Sequence, residues 1–242
     1  MNLPELTALS PDELEFQNSL AAAQGNDVAS MLAEQRDLDG IVKVVSKTAW
    51  FAAAIKDRIA DPETPKLACK PKCHWCCHQS VGVIAPEIFR VVRHINEQHS
   101  ERQKERLIDK LQQLDSAIRG KTLAQRARVN LSCAFLHKGE CEIYDARPLA
   151  CRRQTSFDLK SCRDAAAKGF PEGAVITEKA QIVAYNGAMQ GMMMGLREYF
   201  PDHDMTQLDL IAATLEALRD SQRIDRWLAG EASFSDCYLT NA

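Results

Sequence analysis

Eight of the nine cysteines in this chain fall into two groups, and thiolates are strong ligands for zinc and for iron–sulfur clusters. A Cys-x2-Cys step lets two thiolates on a tight turn reach one ion or cluster, and the same geometry serves both kinds of centre. Eight thiolates are enough for two four-thiolate sites, or for one cluster plus one ion. We therefore predict that all eight hold metal. The first group comprises Cys69, Cys73, Cys76 and Cys77, and the second comprises Cys133, Cys141, Cys151 and Cys162.

The adjacent pair Cys76 and Cys77 bears on which metal is bound. Neighbouring residues are expected to point their side chains apart, so both rarely bind one tetrahedral zinc ion. One of the two would then bind a second metal, bridge two metals, or pack as a small apolar group. The pair therefore favours an iron–sulfur cluster, while zinc stays open because a four-thiolate site accepts either metal.

Basic side chains flank both groups of cysteines. We expect Arg147 and Arg152 to lie next to the metal ligands, donate hydrogen bonds to sulfur and offset the negative charge of the thiolates. For Arg147 the alternative is a structural ion pair with Asp145 in the turn before Pro148. The sequence does not decide between these two roles.

Other residues of chemical interest have simpler interpretations. His74 and His78 lie inside the first cysteine group, but enough thiolates are available without them. Cys237 lies in a polar segment far along the chain, and we predict that it is dispensable for metal binding.

Three glycines recur at every fourth position in a methionine-rich segment: Gly187, Gly191 and Gly195. They could form a slot for a small ligand such as S-adenosylmethionine. Close packing of one helix against another is the interpretation that we favour.

The composition is that of a protein that buries a core without covalent cross-links, with 242 residues of which 45% are hydrophobic. Nine cysteines in such a chain indicate metal or redox chemistry in a reducing compartment. The first residues show no secretory signal, and the most apolar stretch, 182–196, is too short to cross a bilayer. We therefore expect a cytoplasmic protein with no membrane partner. The net charge of −3 gives no reason to expect a nucleic-acid partner, and a protein partner stays open.

The periodicity of apolar residues predicts a mainly α fold in three regions that form one compact unit. Residues 1–65 form N-terminal helices that begin with a capping box at Ser10, and helical structure runs from 10 to 60. Residues 66–172 are the metal-binding region, and residues 173–242 are C-terminal helices. These last helices are predicted over 177–199, 205–218 and 221–228.

Within the metal-binding region, a helical insertion over 86–120 separates loops at 66–82 and 132–172. A short β-hairpin around Gly139 is expected to present Cys133 and Cys141 side by side. The predicted architecture is a helical body that clasps a loop-rich insert coordinated by cysteines.

The combined motif resembles the YkgJ-like cysteine-cluster family, which is described as a zinc- or iron-chelating domain related to the domain of flagellin lysine N-methylases. The resemblance covers about residues 66–155. Ala134 replaces a proline that is usual in the family, and His78 replaces an Arg or Lys that often follows the double cysteine. Cys162 lies outside the motif. The matching residues are Cys69, Cys73, Cys76, Cys77, Cys133, Cys141 and Cys151, with Arg147, Pro148 and Arg152 around them.

The resemblance implies a metal-binding protein and, where such proteins are catalytic, redox or methyl-transfer chemistry at an iron–sulfur centre. The alternative is a non-catalytic, zinc-organised interaction module or a metal-handling protein. An open coordination position would favour an enzyme, and closed tetrahedral sites would favour a module.

Overall fold

The computed structural model describes residues 9–129, 131–171 and 174–239, and the expected mainly α class is confirmed. Within these residues the chain forms ten α-helices and two antiparallel pairs of two-residue strands. The first eight residues, where no secretory signal is predicted, and the predicted boundary at 172/173 lie outside the described residues.

The helices are α1 (Pro11–Glu34), α2 (Leu38–Ile59), α3 (Ala85–Gln98), α4 (Glu101–Ile118), α5 (Leu123–Ala127), α6 (Leu149–Arg153), α7 (Leu159–Ala167), α8 (Lys179–Tyr199), α9 (Leu210–Arg219) and α10 (Gln222–Leu228). The strands are β1 (Gly82–Val83), β2 (Leu136–His137), β3 (Glu140–Cys141) and β4 (Leu208–Asp209). Short 3-10 helices span Trp75–His78, Tyr144–Ala146 and Ser235–Cys237. Among the described helices, none is both long and apolar enough to cross a membrane.

The chain divides into two compact units whose segments alternate along the sequence. The predicted division consists of three regions that follow one another along the chain, and this division stays a prediction. The first unit contains the described parts of Met1–Cys69, Leu149–Leu159 and Val175–Asp202. The second contains the described parts of Lys70–Pro148, Lys160–Ala174 and His203–Ala242.

The first unit is a packing of long helices, and its start confirms the predicted capping box. The side chain of Ser10 accepts a hydrogen bond from the Glu13 N–H at 3.2 Å, and the Glu13 carboxylate accepts one from the Ser10 N–H at 2.6 Å. The helical segment predicted over 10–60 is two helices, because Asp37 accepts a hydrogen bond from the Gly40 N–H and starts α2 anew.

The three spaced glycines of α8 face α1, which confirms the packing interpretation. A Cβ atom added at Gly191 would lie 2.5 Å from the Ala21 carbonyl oxygen, and one at Gly195 would lie 2.6 Å from Val28 Cγ1. Only a residue without a side chain allows the two backbones to approach this closely. The space that a ligand slot would need is therefore filled by α1.

The second unit packs α3, α4 and α9 around aromatic side chains. Phe89 and Trp227 meet edge to face with 5.2 Å between their ring centroids. The helices predicted to begin near Pro86 and Glu101 are confirmed. The helix predicted from Met205 begins only at Leu210, because residues 208–209 pair with β1.

The loop predicted over 132–172 contains helices α6 and α7, so this part of the prediction is wrong. The β-hairpin is confirmed, with Lys138 and Gly139 in the left-handed region at φ 51° and 83°. The residue opposite Cys141 is Leu136, so the strand register does not place Cys133 beside Cys141.

Candidate metal centre

Tight turns fold the first cysteine group. The Cys73 N–H donates to the Lys70 carbonyl at 3.0 Å, and the Cys77 N–H donates to the His74 carbonyl at 2.9 Å. Between them Lys72 adopts a left-handed conformation with φ 67°, which reverses the chain. These turns place Cys76 and Cys77 on one short 3-10 helix.

The expectation that the side chains of Cys76 and Cys77 point apart stays a prediction, and the structure places both residues on a short 3-10 helix. Each thiol is the largest influence on the other, which lowers the pKa of Cys76 and raises the pKa of Cys77. Side chains alternate by half a turn only on an extended strand, whereas a 3-10 helix has three residues per turn and rotates neighbours by about 120°. Both sulfurs can therefore turn toward the same ion, and the pair no longer argues against a single zinc.

The second cysteine group contacts the first at two points within the second unit. The Cys133 N–H donates to the Cys77 carbonyl at 2.6 Å. At the tip of the hairpin, a Cβ atom added at Gly139 would lie 3.6 Å from Lys72 Cβ. The segments that carry Cys76, Cys77, Cys133 and Cys141 are thus held against one another by contacts that involve no thiol.

Burial and mutual repulsion keep most of these thiols protonated. Burial raises the pKa of Cys133 to about 12, and burial also raises the pKa of Cys141. The pKa of Cys77 is raised as well. The largest cause is the interaction with the Cys76 thiol, followed by burial and by the charges of Cys76, Cys133 and Cys141. The thiols therefore share one electrostatic environment, in which several thiolates are unstable without a cation.

Cys76 is the exception, because its interaction with the Cys77 thiol lowers the pKa of Cys76 against the effect of burial. The charge of Arg147 acts in the same direction on Cys76, and on Cys141 it opposes the larger effect of burial, which keeps that pKa raised. Arg147 is well positioned for this, since its guanidinium stacks over the Tyr144 ring with 3.8 Å to the centroid. Arg147 therefore lies near the thiols as a stabilising cation, and its predicted hydrogen bond to metal-bound sulfur stays a prediction.

Cys162 belongs to the second unit as well. The neighbouring Arg163 lies over the ring of Trp75, 5.5 Å from its centroid, and Trp75 begins the 3-10 helix of Cys76 and Cys77. Helix α7 is thus docked on the turn that carries the adjacent cysteines. Cys73 is half-buried in the same unit.

Cys69 and Cys151 belong to the first unit. The Cys69 thiol lies 3.9 Å from the Ser156 carbonyl oxygen, which also accepts the Ala68 N–H at 2.8 Å. The Arg152 carbonyl accepts a hydrogen bond from Gln181 at 2.8 Å. The roles predicted for Cys69, Cys151 and Arg152 at the metal stay predictions.

Cys237 is 1% exposed, although its segment is polar in sequence. Its thiol donates to the Asp236 carboxylate at 3.4 Å, and burial raises the pKa of Cys237 to about 12.

The donors in the second unit suit zinc or iron in chemical type, because both metals bind thiolates from short turns. Among the described residues, no three His, Cys, Asp or Glu side chains form a group that could hold a metal ion as they stand. Metal binding at these cysteines would bring their sulfurs together and displace the protons that burial retains.

The raised pKa values of Cys77, Cys133 and Cys141 predict a steep pH dependence of metal binding. These thiols hold their protons at pH 7 and must release them to coordinate a metal, so the affinity falls as the pH is lowered. If all three bind, the affinity for zinc should rise about a thousandfold from pH 6 to pH 7. Competition with a chromophoric chelator, corrected for its own protonation, measures this slope. A rise of about tenfold or less would show that a single thiol is deprotonated on binding.

Comparison with known proteins identifies the cysteine-rich part of the chain. Residues 68–171 match the CxxCxxCC family, described as a "Putative zinc- or iron-chelating domain". The match confirms the resemblance found in the sequence and assigns metal binding, with zinc or iron as the metal. It also includes Cys162, which the resemblance alone did not reach. Neither a curated protein nor a solved structure matches the chain.

Proposed function

We propose that this chain, whose residues 68–171 match the zinc- or iron-chelating family, uses its second unit to hold one zinc ion in a closed four-thiolate site. The proposed ligands are Cys76, Cys77, Cys133 and Cys141. The observation that supports this choice is the hydrogen bond of 2.6 Å from the Cys133 N–H to the Cys77 carbonyl, which holds the second cysteine group on the Cys76–Cys77 turn. The charges of Cys133 and Cys141 also act on the pKa of Cys77. In this proposal zinc organises the cysteine segments, and the protein acts as an interaction or metal-handling module.

Charge supports a closed site. Four thiolates on one Zn²⁺ leave two net negative charges. The positive charge of Arg147 favours the thiolate forms of Cys76 and Cys141, although burial keeps the pKa of Cys141 raised. A nearby cation of this kind stabilises coordinated thiolates. The Cys76–Cys77 turn is one short 3-10 helix, so coordination would supply much of its order.

A second candidate is an iron–sulfur centre with redox or methyl-transfer chemistry. It is favoured by two further half-buried thiols in the second unit, Cys73 and Cys162, which one tetrahedral ion does not need. When bound, such a centre would supply electron transfer, and the cations around the thiols would affect its reduction potential.

Purification without oxygen tests both candidates. Zinc readily replaces iron in a four-thiolate site during aerobic work, so only anaerobic protein is informative. We expect a colourless protein with about one zinc per chain and no acid-labile sulfide. A brown protein with sulfide and visible absorption that bleaches on reduction would establish the second candidate instead. A folded protein that contains neither metal, and binds none in titration, would refute both.

A further inference from the structure

A cleft in the second unit opens beside the proposed metal ligands. Counted together with the open solvent at its mouth it spans about 450 Å³, and Cys133 and His78 form part of its wall. Most of the other wall residues are apolar: Val81, Leu114, Ile118, Val129, Leu131 and Leu210. A concave, mainly apolar surface with a few polar groups is the usual form of a small-molecule site.

The polar part of the wall includes Gln79, Ser80 and the ion pair of Arg126 with Asp209, and the side chain of Arg126 is 4% exposed. Its Nε donates to the Lys121 carbonyl at 3.0 Å, and its Nη1 donates to the carboxylate of Asp209. In the described part of the chain, no acceptor takes a hydrogen bond from its Nη2. A buried guanidinium is therefore held rigidly at the cleft with one nitrogen left to donate.

Asp209 does not accept from this remaining nitrogen, because its two oxygens take their hydrogen bonds from other donors. Oδ2 accepts from Arg126, and Oδ1 accepts from the N–H groups of Ile211 and Ala212 at 3.0 and 2.9 Å. These bonds also fix the orientation of the guanidinium. Its donor is thus placed before any ligand arrives, which lowers the entropic cost of binding.

We propose that the cleft binds a small monocarboxylate with an apolar tail. The carboxylate accepts a charge-assisted hydrogen bond from Nη2 of Arg126, and the tail lies against the apolar wall. Because Cys133 lines the same cleft, the bound molecule lies beside the proposed zinc site. Binding itself does not require the metal, so this site is independent of the proposed function.

Titration with octanoate tests this site, with octanol as the probe that lacks the carboxylate. Isothermal titration calorimetry of the full chain, both metal-free and zinc-loaded, measures the affinity for each probe. We expect the affinity for octanoate to exceed that for octanol by about tenfold or more. In Arg126→Lys, the ammonium can pair with Asp209, but the nitrogen that corresponds to Nη2 is absent. We expect octanoate affinity to fall about tenfold and octanol affinity to stay the same. Equal affinity for both probes in the unaltered protein would overturn the proposal.

A second pair of variants avoids the buried ion pair. Leu131 is 46% exposed and lines the cleft, whereas Leu123 is 37% exposed and does not. Leu131→Ser should weaken octanoate about threefold to tenfold, and the matched Leu123→Ser should leave it unchanged. Equal affinity in these two variants would overturn the proposal even if Arg126→Lys failed to fold. Metal content measured on the same samples separates the two hypotheses, since a protein with full zinc and no octanoate binding refutes the cleft alone.

Discussion

Replacing Cys133 with alanine should remove most of the metal, whereas Cys237→Ala should keep it. The two thiols are a matched pair, because burial raises the pKa of each to about 12. Only Cys133 is joined to the Cys76–Cys77 turn. Loss of one of four thiolates should lower zinc affinity by about two orders of magnitude or more. Metal analysis after dialysis against a weak chelator, with circular dichroism as a check on folding, measures the difference.

Each alternative outcome of this comparison has a definite meaning. Equal and full metal content in two folded variants would exclude Cys133 as a ligand and refute the four-thiolate proposal. Equal loss would show that Cys237 also supports the site, against its assignment as dispensable. Cys69→Ala and Cys151→Ala extend the test to the first unit, where ligand roles are still predictions.

Replacing Asp209 with alanine should be the most destabilising single change of a charged residue in the second unit. Asp209 is the partner of the buried guanidinium of Arg126 and also caps α9. Removing it leaves an unpaired buried charge, which costs about 3–5 kcal/mol, and the lost cap adds about 1 kcal/mol. Urea unfolding, with hydrogen exchange of the α9 amides as the local measure, gives the change in free energy.

Asp220→Ala is the control for this experiment. Asp220 also pairs with an arginine, at 2.6 Å from Arg226, and also accepts a backbone N–H, but the two side chains are 42% and 36% exposed. An exposed pair of this kind contributes less than about 1 kcal/mol. Similar losses in Asp209→Ala and Asp220→Ala would mean that water reaches Arg126. Asp209→Asn retains the capping oxygen, and so separates the effect of the charge from that of the cap.

Features that depend on neighbours in sequence were predicted from the sequence alone. The capping box at Ser10, the helices beginning near Pro86 and Glu101, and the hairpin at Gly139 are all present. Each depends on hydrogen bonds or periodicity within a few residues of the same segment. The metal-binding motif is of the same kind, since its cysteine spacing reflects tight turns, and the family match confirms it.

Features that depend on distant segments were decided only by the tertiary structure. Residues 208–209 form a strand because β1, more than a hundred residues earlier, pairs with them, and Asp209 then caps α9 rather than lying inside a helix. Cys237 is buried although its own segment is polar. Neither effect has a local signal, because burial and strand pairing are set by contacts with other parts of the chain.

The adjacent cysteines show where the two kinds of information meet. The sequence indicated that thiolates would bind zinc or iron, because the type and the spacing of the cysteines are features of the sequence itself. It did not determine that Cys76 and Cys77 lie on a 3-10 turn, which rotates neighbouring side chains by about 120° instead of the half turn of an extended strand. The Cys77 carbonyl of that turn is bonded to Cys133 from the second group. Side-chain direction follows backbone conformation, and here only the folded structure reveals that conformation.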